Sequence, residues 1–184
     1  MNQVKTTLGL PAAGGTLLVA GSYVSKTTAQ LAQLEARCTL RKIEVDVARV
    51  LKDADRSAVI REAITAMNAA LSGQKDVLLC TSRALVTGSD AASSLGIGAR
   101  ISAALVEIVS GLEARSRCVI TKGGITSSDM ATKAFGTRSA SALGPIAPGV
   151  PVWRLAGLIL VVFPGNVGDE NALADVVEKI NDAR

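Results

Sequence analysis

Two hydrophobic rhythms alternate along this chain. Short continuous apolar runs predict strands buried on both faces: Thr16–Ala20 (TLLVA), 76–82 (DVLLCTS), 117–124 (RCVITKGG) and the opening of 158–180 (LILVVF). Residues 43–47 (IEVDV) alternate apolar and acidic and predict a further strand. Between these runs the apolar positions recur at helical spacing. One helix is expected from Thr27, which with Gln30 has capping-box spacing, to about Arg37. A second is expected from Asp55 or Ser57 to a stop at Gly73, and a third over 99–113 (ARISAALVEIVSGLE), after a loop rich in Gly and Ser. A short one over 127–136 would have Thr126 or Ser127 as cap and Gly136 as terminator, and the last would begin near Asp169. This alternation predicts an α/β fold, a layered sheet flanked by helices, in a single domain over 16–184. Residues 1–15 have no clear period and are expected to be an arm or linker remnant. Residues 138–155, with Pro148 and Pro151 around Gly149, predict an irregular hairpin or loop.

Composition narrows the picture. Apolar residues make up 48 % of the 184 positions but aromatics only 2 %, so the core is built from Ala, Val, Leu and Ile. No run reads as long enough to span a bilayer, and the N-terminus with Lys5 does not open a signal-peptide pattern, so no membrane partner is expected. Cys38, Cys80 and Cys118 are far apart. Cys80 and Cys118 lie on strand runs, which predicts buried free thiols suited to a reducing cytoplasm. The net charge is +4, but the basic residues are scattered and almost nothing aromatic could stack on bases. That argues for tolerance of anionic ligands rather than for a nucleic-acid surface. The chain has no histidine, which excludes Ser-His-Asp and Cys-His catalysis and a His-ligated zinc site supplied by this chain alone.

Ligands of open α/β sheets sit beyond the carboxyl ends of the strands. Three polar turns fall there: Gly21-Ser22, Gly123-Gly124-Ile125-Thr126-Ser127-Ser128, and Pro164-Gly165-Asn166-Val167-Gly168. Glycine allows the backbone to come close to a ligand, and the free N–H groups of a following helix favour an anion. The first turn is not a Walker loop, because its second glycine is absent and Lys26 comes one residue early. Ser22 nevertheless has a hydroxyl at a strand end. Asp129 is expected in the first turn of its helix, favoured by the dipole, with a magnesium contact as the lesser alternative. Lys26, Lys122 and Lys133 are candidates to offset ligand charge. A dinucleotide-dependent oxidoreductase is the weaker alternative, since G-x-G-x-x-G is missing.

The stretches AGSYVSKTTAQL, TKGGITSSDMATKAFG, GPIAPGVPVWRL and VVFPGNVGDENALADVV, in this order and spacing, resemble the four-carbon acid sugar kinase family. The resemblance is to its C-terminal, nucleotide-binding domain over nearly the whole chain. It implies ATP as cofactor, with Mg2+, and contacts from Ser22, from Gly123, Gly124, Ile125 and Thr126, and from Gly165. It also implies an acid substrate such as threonate, erythronate or 3-oxo-tetronate, bound through an N-terminal domain, with the active site in the cleft between domains. That domain and its Asp-Asp-x-Thr-Gly motif are not in these 184 residues. Many members carry a lysine where this chain has Phe163, which removes any charge contact from that position. The expected function is therefore the ATP-binding half of a cytoplasmic sugar-acid kinase, inactive alone, with a homodimer as one compatible assembly. The alternative is a non-catalytic nucleotide-binding module.

Overall fold

Every residue of Thr16–Ala20, the strand β1, is buried, and the rest of the architecture is arranged around it. In a computed structural model, which describes residues 8–21, 24–83, 86 and 90–182, six further strands follow. They are β2 (Arg41–Val45), β3 (Val77–Thr81), β4 (Cys118–Lys122), β5 (Ser141–Ala147), β6 (Val150–Leu155) and β7 (Leu158–Phe163). They form one sheet in the order β2-β3-β1-β4-β7-β6-β5. The first five in that order run parallel, whereas β6 and β5 are added antiparallel at the edge beyond β7.

Successive side chains of a strand point to opposite faces, and each face has its own core. On one face Leu18, Ala20, Leu78, Cys80, Cys118 and Ile120 pack with α1 (Ser25–Arg37) and with the C-terminal helix α6 (Ala172–Asn181). On the other, Leu17, Val19, Val77, Leu79 and Val119 meet α2 (Val47–Leu51), α3 (Asp53–Ser72) and α4 (Ala91–Ser110). Between β4 and β5 lie the short α5 (Gly124–Asp129) and a π-helical turn, Met130–Ala134. Leu8 and Leu10 of the N-terminal segment are buried in the first core. At the lower end of the sheet the buried Asp76 accepts from the Thr16 backbone N–H at 2.7 Å and from Asn181 Nδ2 at 2.9 Å, tying the end of α6 to β1.

The α/β fold expected from the alternation is present, with local differences that have physical causes. Helix α1 begins at Ser25 and has no side-chain cap bond; Thr27 and Gln30 are buried within it, and Gln30 reaches a distant turn instead of its own helix end. Strand β2 ends at Val45, because Asp46 turns to cap α2, its side chain accepting from the Arg49 N–H. Helix α4 starts at Ala91 rather than 99, held by a reciprocal capping box between Asp90 and Ser93. By length and mean hydropathy this helix could also cross a membrane, contrary to the expectation from sequence, because its Gly and Ser residues broke up the apolar run. Its C-terminal half packs on the sheet through Ala104, Leu105, Ile108 and Val109. Residues 141–155 form an irregular antiparallel hairpin, as one of the two expected alternatives, with Pro145 and Pro151 paired beside a register shift and Pro148 in the turn between the strands.

Cys80 and Cys118 are buried free thiols, and burial raises their pKa to about 11 and about 12. Thiol labelling of the native chain at pH 8 should therefore modify the half-buried Cys38 alone, with the other two reacting only in denaturant. Rapid native labelling of Cys118 would contradict the placement of β4 in the sheet centre.

Candidate functional site

Three neighbouring strands end at one level. Ala20 of β1 pairs with Lys122 of β4, and Lys122 pairs with Phe163 of β7. The next residues are Gly21, Gly123 and Pro164-Gly165, so the three polar turns leave the sheet side by side, about 5 Å apart between strands. Ser22 lies outside the described residues. Gly123, Gly124, Ile125, Thr126 and Gly165 are brought together on this rim.

The Gly123 turn is rigidly made. Gly123 has φ +104° and ψ 144°, a conformation open to glycine, and caps α5 by backbone alone. Ser127 holds the Gly123 carbonyl twice, through its N–H at 2.9 Å and its Oγ at 2.7 Å, and its hydroxyl lies 2.8 Å from Thr121 Oγ1. Ser127 is thus a buried support inside α5 and not its cap. Gly124 and Gly165 differ from Gly123: an added Cβ would meet nothing within 4 Å at either. The protein's own packing does not require glycine there. Gly168 is needed, with φ +72° and an added Cβ 2.3 Å from that of Ala172.

A cavity of about 290 Å3 opens beyond β1, β3 and β4, on the α4 side. Gly21, Thr81 and Ser82 line its strand-end side, Ile97, Ile101 and Leu105 of α4 its apolar wall, and Gly123 to Thr126 its rim. Ile125 is 78 % exposed at the mouth. A second cavity, of about 530 Å3, lies on the opposite face between the β5–β6 hairpin and α6 and reaches Val167 and Gly168. The turns therefore form a ridge between two hollows.

The lysines have separate fates. Lys133 pairs with Asp129 at 2.7 Å. Asp129 ends α5 rather than starting it, and Lys133 together with Ser102 Oγ holds its carboxyl below the usual range. The expected first-turn role of Asp129 does not hold. Lys26 donates to the carbonyls of Asn166 and Gly168 at 3.2 and 3.1 Å. Lys122 is only 2 % exposed; its Nζ lies 4.6 Å from the centre of the Phe163 ring and donates to Pro164 O at 2.7 Å and Gly165 O at 3.1 Å. The third turn thus has a cation beside it although position 163 is phenylalanine. Sequence reasoning missed Gln30. Its only signal was an amide on the face that also carries the buried Leu31 and Leu34.

Burial, reinforced by the charge of Lys26, lowers the Lys122 pKa from 10.5 to about 8. Below pH 8 the lysine is protonated in both states. Between that pH and 10.5 the unfolded chain retains a proton that the folded chain has released, so this group adds stability as pH rises. The thiols of Cys80 and Cys118 act the opposite way above pH 9. Urea unfolding from pH 7 to 9 should show the wild type gaining stability relative to a Lys122→Met variant. A difference that stays constant with pH would show an ordinary lysine.

Residues 17–173 match the family described as nucleotide-binding C-terminal domain. A 3-oxo-tetronate kinase of Methylobacterium radiotolerans is 37 % identical over 175 residues, covering 88 % of this chain and 38 % of that protein. The fold is shared with a Salmonella typhimurium LT2 protein (TM-score 0.73, 21 % identity, 95 % of this chain and 42 % of that one). It is also shared with a Bordetella bronchiseptica protein solved as a domain-swapped dimer with bound citrate (TM-score 0.64, 23 % identity, 97 % and 41 %). This chain spans about two-fifths of the length of each.

Proposed function

Because the chain belongs to the nucleotide-binding C-terminal domain family of the four-carbon acid sugar kinases, we propose that it is the ATP-holding part of a cytoplasmic sugar-acid kinase. The observation that carries this is the common level at which β1, β4 and β7 end, which sets the three glycine turns beside one another, those after β1 and β4 lining a cavity.

Phosphoryl transfer relies on positioning and charge stabilisation more than on covalent groups, so a chain without histidine is suited to it. Backbone N–H groups around Gly124 and Gly165 would hold the phosphates, Thr126 and Ser22 would add hydroxyls, and the apolar wall of α4 would exclude water. Mg2+ would arrive with the nucleotide and neutralise phosphate charge. Asp129 is committed to Lys133 and Ser102, and Asp169 Oδ1 to the N–H groups of Asn171 and Ala172. The acceptor, an acid such as threonate, erythronate or 3-oxo-tetronate, would come through an N-terminal domain, as would the group that activates its hydroxyl. The 3-oxo-tetronate kinase relative supports this class, and the domain-swapped neighbour supports a homodimer as the assembly. A non-catalytic nucleotide-binding module remains the second reading, since the chain spans only 38 % of its kinase relative.

The open glycines provide the test. Gly124→Ala and Gly165→Ala should leave the melting temperature nearly unchanged yet weaken MgADP binding by tenfold or more, because only a ligand would meet the new methyl. Gly168→Ala should lower stability by about 1–3 kcal/mol through strain and collision. Full MgADP affinity in both open-glycine variants would count against phosphate contact at these turns.

A further inference from the structure

The third turn has an unusual division of its polar groups. Lys122 takes the carbonyls of Pro164 and Gly165, Lys26 those of Asn166 and Gly168, and Gln30 those of Val167 and Asp169, at 3.1 and 2.6 Å. Every carbonyl from 164 to 169 is held by one of three side chains. Two come from α1 and one from the end of β4, elements far from the turn in sequence. Meanwhile the N–H groups of Gly165, Asn166 and Gly168 have no acceptor among the described residues.

A peptide turn presents both lone pairs and N–H donors, and an anion approaching it is repelled by the first and drawn by the second. Holding all the carbonyls on ammonium and amide donors removes that repulsion and leaves the N–H groups as the exposed polarity. We infer that Lys26, Gln30 and Lys122 are positioning residues that clamp the 164–169 turn, carbonyls inward, as a preformed cradle for the phosphate end of a nucleotide; this rests on the nucleotide reading above. Gln30 is the informative member. It is uncharged and fully buried, so it cannot attract a phosphate by charge and can act only through the turn.

The test uses the 184-residue chain, 15N-labelled, with MgADP, adenosine and inorganic tripolyphosphate as probes, and compares Gln30→Met and Lys122→Met with wild type. Each variant keeps the length of the side chain and removes its donor. Affinity for MgADP and tripolyphosphate should fall about tenfold in both, the order expected for loss of buried hydrogen bonds, while adenosine binding is unchanged. In the unliganded variants the amides of Gly165, Asn166 and Gly168 should become more mobile by 15N relaxation, which loss of charge alone would not produce. If Gln30→Met binds MgADP like wild type with those amides equally rigid, the clamp is overturned and the nucleotide reading stands. If wild type binds no MgADP, the nucleotide reading falls. The clamp is then decided by whether tripolyphosphate shifts these three amides in wild type and not in Gln30→Met; no such shift overturns it too. Should Gln30→Met fail to fold, Lys26→Met, whose side chain lies at the surface, reports the same affinities and mobilities.

Discussion

The handedness of the crossover connections determines where this protein can hold a ligand. Parallel strands joined through helices cross over in the right-handed sense, so the direction of travel across the sheet decides which face each helix covers. From β1 the chain moves outward to β2 and places α1 on one face. From β2 inward to β3, and from β3 past β1 to β4, it moves the other way and places α3 and α4 on the opposite face. The loops leaving β1 and β3 must therefore diverge although the strands are neighbours. The cavity beneath α4 and the rim of glycine turns occupy the gap created by that divergence.

At this end of the sheet, side chains from elsewhere determine how the backbone of the turns is presented. Ser127 fixes one carbonyl of the Gly123 turn from within the next helix, and three side chains fix the 164–169 turn from two other elements. Burying the Lys122 ammonium is unfavourable, as its lowered pKa shows. Two carbonyls and the Phe163 ring offset part of that cost. A core of Ala, Val, Leu and Ile could bury this strand end more cheaply with an apolar residue, so the lysine is explained by the turn it holds and not by packing.

What could be read from the chain follows from how local each signal is. The runs TLLVA and DVLLCTS identify strands because burial on both faces leaves polar residues only near their ends, whereas the IEVDV pattern runs two residues past the end of β2, where Asp46 serves as a cap for α2. The start of α4 is masked by Gly96 and Gly98, poor helix formers whose cost the capping box at Asp90 helps to offset. The glycine turns were legible as candidates, since glycine next to hydroxyl residues at a strand end is a local pattern. Gln30 was not. Its spacing from Thr27 imitates a capping box, while its partners lie 137 and 139 residues away. Lys122 is legible as a candidate cation, but its burial over Phe163 follows only from the register of β4 with β7.

Whether the turns after β4 and β7 jointly hold nucleotide phosphates is decided by a crystal structure of the chain grown with MgADP. Phosphate density is expected within hydrogen-bonding distance of backbone N–H groups in both the 123–126 and 165–168 turns. A nucleotide bound with its phosphates away from both turns, for instance wholly within the hollow between the β5–β6 hairpin and α6, would contradict it.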